Sequence, residues 1–267
     1  MNANGGSGIM KVLFLGSGTS SGVPTIGCTC PVCTSSDPRN TRLRPSVYIS
    51  HGGYGLLLDA SPDFRQQAMR YKIPRVDAVL ITHSHADHVF GLDDLRRYNT
   101  IQNSRIPLYA IPSTVKDLDR IFEYFHNIPL PGTYLPAVDF NAVSGPFDCG
   151  PFRVTPFAVE HGRSPACGFR IDLRGSGKSF SYASDCRRFP DESVDIVRDT
   201  DVMVLDALRY REHASHMTVE QSVETLRKIG APRSFLTHMA HDIDHAVLAA
   251  ALPPSIAPAY DGLQVEI

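Results

Sequence analysis

Apolar residues along this chain gather into short runs rich in β-branched types, separated by longer amphipathic stretches, the pattern of strands alternating with helices. In the first half the runs Lys11 to Leu15, Ser46 to Ser50, Gly55 to Asp59, Ala78 to Ile81 and Pro107 to Ala110 predict strands. Helical patterns lie between them at Pro62 to Tyr71, where Ser61 can cap and Pro62 suits the first turn, and after them at Ser113 to Phe125. The second half repeats the style, with strands at Phe152 to Glu160, Gly168 to Leu173, Ser179 to Ser184, Val202 to Leu205 and Ser234 to Thr237, and a closing strand ending at Ile267. Thr218 and Gln221 stand at capping-box spacing before a helix whose Val219, Val223, Leu226 and Ile229 form one apolar face. Hairpins followed by αβ segments in both halves predict two similar layers packed face to face.

A length of 267 residues with 42% apolar side chains permits a sizeable core, and residues 9–267 read as a single α/β domain behind a small, polar, flexible tail, residues 1–8. With 26 basic and 28 acidic residues and no basic run, a nucleic-acid partner is not expected and a small substrate is favoured. The opening MNANGGSGIM lacks the charged-then-apolar pattern of a secretory signal, and no later stretch has the length of a membrane span, so the expected setting is cytoplasmic. Thiols stay reduced there, and clustered cysteines point to metal rather than to disulfides.

The densest chemistry follows the run Ala78 to Ile81, where His83, His85, Asp87 and His88 place four candidate ligands at the end of a strand. Imidazoles one residue apart can turn into one site, while Asp87 and His88, if a helix begins there, face a neighbouring one. This suits two metals, and the mixture of imidazole and carboxylate suits zinc, manganese or iron over calcium or magnesium.

This HxHxDH motif resembles that of the metallo-beta-lactamase superfamily. The family also supplies a later histidine, a bridging aspartate and a histidine near the C-terminus, each after a strand, and His161, Asp185 and His238 stand in those places in order. The resemblance therefore covers almost the whole chain. It implies an αββα four-layer sandwich in which His83, His85 and His161 hold one metal, Asp87, His88 and His238 hold the other, and Asp185 bridges. Asp59 matches the family's supporting aspartate, expected to orient a ligand.

Cys28-Thr-Cys30-Pro-Val-Cys33 reads as three thiolate ligands of a structural zinc, with His241 available as the fourth; a redox group is the alternative. With the terminal Thr237-His238-Met-Ala-His241, this loop is similar to that of phosphodiesterases that open the cyclic phosphate of a phosphorylated ribose, and to a branch related to pyrroloquinoline quinone biosynthesis. Cys149, Cys167 and Cys186 lack ligand spacing and read as packing thiols, Cys186 beside Asp185 as one lining the site.

His216 matches in position a histidine that the phosphodiesterase branch sets against the substrate phosphate, which makes it the expected proton donor, with His213 as its rival. His51 and His126 have no motif around them. Gly175-Ser-Gly177-Lys178-Ser179 imitates part of a P-loop, but Asp172 stands at the required first glycine and the stretch reads as a hairpin turn. Arg187, Arg188, Arg209 and Arg211 are candidate phosphate contacts, none singled out.

The expected activity is hydrolysis of a small phosphorylated or nucleotide-like substrate, most concretely a phosphodiester, by a metal-bridging hydroxide. Asp87, Asp185 and His216 are the expected catalytic residues, with two catalytic divalent metals, zinc or manganese, and one structural zinc. No membrane association is expected, and a homodimer is the default assembly. The alternatives are another hydrolase of the same fold, lactonase or ribonuclease Z-like, and a noncatalytic accessory protein of coenzyme biosynthesis.

Overall fold

In the computed structural model, which describes residues 9–128 and 130–267, the apolar runs pair into two seven-stranded sheets. The first contains β1 (Lys11–Gly16), β2 (Ser46–His51), β3 (Tyr54–Leu58), β4 (Ala78–Leu80), β5 (Ile106–Ala110) and β6 (Val138–Ala142) side by side. The second contains β7 (Phe147–Cys149), β8 (Phe152–His161), β9 (Ser164–Leu173), β10 (Lys178–Ala183), β11 (Val202–Asp206), β12 (Arg233–Thr237) and β13 (Ile256–Pro258). A last strand, β14 (Gln264–Glu266), returns to the first sheet antiparallel to β1. Each sheet is antiparallel at one side and parallel at the other, along β3-β4-β5-β6 and β10-β11-β12-β13.

The central strands are buried on both faces, which is why they read as unbroken apolar runs. Along β3, Leu56 and Leu58 point into the layer between the sheets with Phe14, Phe152, Phe169, Phe180 and Val204, while Leu57 points outward beneath the helices. On that outer face lie α1 (Phe64–Arg70), α2 (Ala86–Val89), α3 (Leu95–Gln102) and α4 (Pro112–Ile121), whose Phe64, Val89, Leu95 and Leu118 join Leu57, Val79 and Ile81 in one core cluster. Outside the second sheet lie α5 (Asp191–Val197), α6 (Val219–Ile229) and α7 (His245–Ala251), whose Val194, Leu226 and Leu248 join Met203, Leu205 and Leu236 in a second cluster. Each such buried Leu contributes about 1.5–3 kcal/mol relative to exposure. The result is the four-layer αββα sandwich.

Local chemistry accounts for several boundaries. The capping box of α6 forms in both directions, Gln221 N–H to the Thr218 hydroxyl and Thr218 N–H to the Gln221 side chain, and Gly230 ends the helix at φ 75°. Helix α1 begins at Phe64 rather than Pro62, because the Ser61 hydroxyl accepts from Asp63 N–H at 3.3 Å and closes a turn ahead of the helix. The helix expected through Phe125 stops at Ile121, and a 3-10 turn from Glu123 to His126 tucks Phe122 and Phe125 into the outer core. Gly175 and Gly177 lie in the β9–β10 hairpin turn, as the sequence suggests. The predicted tail, residues 1–8, lies outside the described residues. Among the described residues no helix is long and apolar enough to cross a membrane.

The topology brings chemistry to one edge. Asp59 follows β3, residues 83–88 follow β4, Asp185 follows β10 and His238 follows β12, all at the C-terminal ends of parallel strands, where open α/β sheets bind ligands. His161 ends β8, which runs in the same direction as β10 because both are antiparallel to β9.

Candidate metal centre

Two backbone positions at this edge are strained. Asp59 and His238 hold φ of 58° and 60°, a left-handed conformation that costs a non-glycine residue on the order of 1 kcal/mol and clusters at functional sites. Asp59 is fully buried, and its carboxylate accepts Thr82 N–H (2.9 Å), the Thr82 hydroxyl (3.0 Å) and His88 Nδ1–H (2.8 Å). The Thr82 hydroxyl, having donated to Asp59, accepts from His83 Nδ1 at 3.1 Å. His161 Nδ1–H donates to the Ser215 carbonyl at 2.8 Å, and His85 Nε2 pairs with the Ser164 hydroxyl at 3.0 Å.

These outer bonds fix each ring and turn its other nitrogen toward one space. His83, His85, His161 and Asp185 offer donor atoms within 4.8 Å of one another, as do Asp87, His88 and His238. Asp185 is shared between the two groups: Oδ1 lies 3.1 Å from His88 Nε2, while Oδ2 lies 3.8, 3.7 and 3.5 Å from Nε2 of His83, His161 and His238. His83 Nε2, His88 Nε2 and Asp185 Oδ1 are buried without a hydrogen-bond partner. Buried polar atoms left so are costly, and lone pairs of several imidazoles aimed at each other need a cation between them. The donor set therefore fits divalent metal.

The electrostatics agree. Burial opposes charge on His88 and His238, yet Asp185 and Asp87 hold His88 protonated well above the ordinary range and raise His238 to about 9. Burial likewise opposes ionisation of Asp87 and Asp185, and the surrounding histidines depress both. His83 is driven the other way, held neutral by burial and by the charge on His88. The carboxylates thus carry a negative surplus that protons fill without metal, and a bound cation displaces those protons. His85, exposed among buried neighbours, marks the open side.

His216 is buried beside this group, its Nε2 3.8 Å from Asp185 Oδ2 and its Nδ1 2.7 Å from Asp206 Oδ2. The sequence reading missed Asp206, the last residue of β11, which also accepts Cys186 N–H at 2.8 Å. Burial raises the Asp206 carboxyl well above its usual range and lowers His216 to about 4, so the pair keeps a proton on Asp206 and Nε2–H on His216. Because His216 also falls into a donor group with Asp185 and His238, it has the reach of a ligand as well as of a donor. His213 is set back, its Nδ1 accepting from Ser215 N–H at 3.3 Å and its ring centroid 5.0 Å from that of His216.

The other predicted residues sort as follows. Nδ1 of His241 lies 3.2, 3.6 and 3.6 Å from the sulfurs of Cys28, Cys30 and Cys33, which makes a second four-donor cluster. The Cys186 thiol packs in the core beneath α5 and α6, so only its backbone N–H serves the site. Arg188 pairs with Glu160 and Arg209 donates to carbonyls of its own loop, whereas Arg187 reaches Gln221 and Arg211 is exposed. His51 bonds the Ile9 carbonyl, and His126 pairs with Asp119 on the surface.

Fold and site together define a metallo-hydrolase architecture. The sequence profile described as "Beta-lactamase superfamily domain" matches residues 54–239, and the chain belongs to that superfamily. It is similar to a crystal structure described as a new diphosphatase from the PhnP family, with 38% identity, 97% of both chains covered and a TM-score of 0.89. It is also 38% identical over 262 residues to a Porphyromonas gingivalis protein named octanoyltransferase, covering 97% of this chain and 52% of that protein. The chain thus spans about half the length of that relative. Zinc-bound PqqB from Methylobacterium extorquens aligns with a TM-score of 0.78 and 23% identity over 96% of this chain and 100% of that one, a likeness of fold.

Proposed function

We propose that the chain is a metal-dependent phosphodiesterase, with a cyclic phosphate of a phosphorylated ribose, or a similar small phosphodiester, as its substrate. The observation that carries this reading is the convergence on Asp185 of His83, His88, His161 and His238 together with the carboxylate-backed His216. Divalent cations held by His83, His85, His161, Asp185, Asp87, His88 and His238 would supply Lewis acidity at a phosphoryl oxygen and bring the pKa of water toward neutrality. Asp185 keeps the two ligand sets in register, with Oδ2 near His83, His161 and His238 and Oδ1 near His88. His216 donates its Nε2 proton to the departing oxygen and is resupplied through Nδ1 by Asp206, a neutral acid held by burial.

The diphosphatase relative supports attack at phosphorus, and it favours a diphosphate bond as the second reading. The octanoyltransferase name belongs to a protein twice as long, and acyl transfer through an enzyme thiol needs an activated nucleophile. Cys167 and Cys186 near the centre are buried and their thiols pushed up, which makes them inert. Comparing turnover of a cyclic ribose phosphate, bis(4-nitrophenyl) phosphate, a nucleoside diphosphate, a lactone and RNA tests the proposal. The phosphodiesters are expected to turn over, and to stop on chelation. Turnover confined to the lactone, or none with any substrate, would overturn it.

A further inference from the structure

Arg42 is only 1% exposed, and it makes no ion pair among the described residues. Burial pulls its pKa down to about 10, which leaves it charged at neutral pH. Burying a guanidinium without a counter-ion is expensive, so where its bonds go matters. Nη1 donates to Ala240 O (3.0 Å), and Nη2 donates to Ile243 O (2.7 Å) and Asn40 Oδ1 (3.0 Å). Those two carbonyls bracket His241 of the thiol cluster, and His238 of the histidine centre lies just upstream. Asn40 continues the brace, accepting His245 N–H (2.9 Å) and donating to Asp244 Oδ2 (2.8 Å). The Arg42 backbone exchanges two hydrogen bonds with Val23, at the root of the cysteine loop. Gly18 passes so close that a Cβ there would lie 2.8 Å from the Arg42 Cβ.

We infer that Arg42 is a positioning residue that holds His238 and His241 on one rigid segment, so that the thiol cluster and the histidine centre bind or release their metals together. This rests on the reading that both clusters bind metal. The test loads the protein with cobalt(II) and titrates it with EDTA. Charge-transfer absorption of thiolate-bound cobalt follows one cluster, and visible bands of nitrogen- and oxygen-ligated cobalt follow the other. In Arg42→Lys, which keeps the charge but cannot span both carbonyls, both chelation midpoints are expected to fall in parallel by about tenfold or more. Asn40→Ala should move both midpoints the same way by less, and it decides the matter if Arg42→Lys fails to fold. Midpoints within about twofold of wild type despite a lowered Tm, or a shift at one cluster alone, would overturn the inference. A wild-type protein that takes up no cobalt would instead overturn the metal reading on which it stands.

Discussion

Asp185→Ala is expected to lower kcat/KM for phosphodiester hydrolysis by at least about a thousandfold while the far-UV circular dichroism stays unchanged. Asp185 is buried and its carboxylate lies within 4 Å of Nε2 on His83, His88, His161, His216 and His238. Its removal leaves two histidine sets with nothing common between them and takes away a main source of the charge that keeps His88 and His238 protonated without metal. The variant should hold less catalytic metal than wild type, measured by elemental analysis after gel filtration, with the thiol cluster still loaded. Undiminished turnover would remove Asp185 from the catalytic set.

The second large effect is specific to the leaving group. His216→Ala removes a proton donor, so a substrate that releases a poor leaving group such as a sugar alkoxide is expected to lose about 100- to 10,000-fold in kcat. A nitrophenyl ester, whose leaving group departs without a proton, should lose far less. The sign of the pH effect follows from the raised Asp206 carboxyl: the pair is protonated below that raised value and loses its proton above it, so wild-type kcat falls as pH rises. That alkaline limb should be missing from His216→Ala. Equal losses on both substrates, accompanied by loss of metal, would make His216 a ligand and not a donor.

What the sequence disclosed and concealed follows from locality. His83, His85, Asp87 and His88 are legible because a strand end and a helix start place them side by side. His161 and Asp185 carry no local motif and His238 only its spacing to His241, and it is their order behind strands within the family pattern that marks them. Asp206 has the same strand-end position but no place in the family's ligand pattern, and an apolar run that ends at Leu205 gives no sign that the strand extends to it. Arg42 lies in a stretch with Arg39 and Arg44 and looks solvated; only the tertiary fold reveals that its head is enclosed while Arg39 is exposed. Among the helices, α6 announced itself through its cap and apolar face. Helices α5 and α7, seven residues each, are too short to establish a period, and their burial against the second sheet supplies the stability their sequences lack.

Whether seven side chains from both sheets enclose two metal ions is decided by anomalous diffraction from crystals grown with manganese or zinc. Two peaks are expected at this edge of the sandwich, one bonded to His83, His85 and His161, the other to Asp87, His88 and His238, with Asp185 touching both. A map with no peak among these residues, or with His238 turned away from His88, would contradict it.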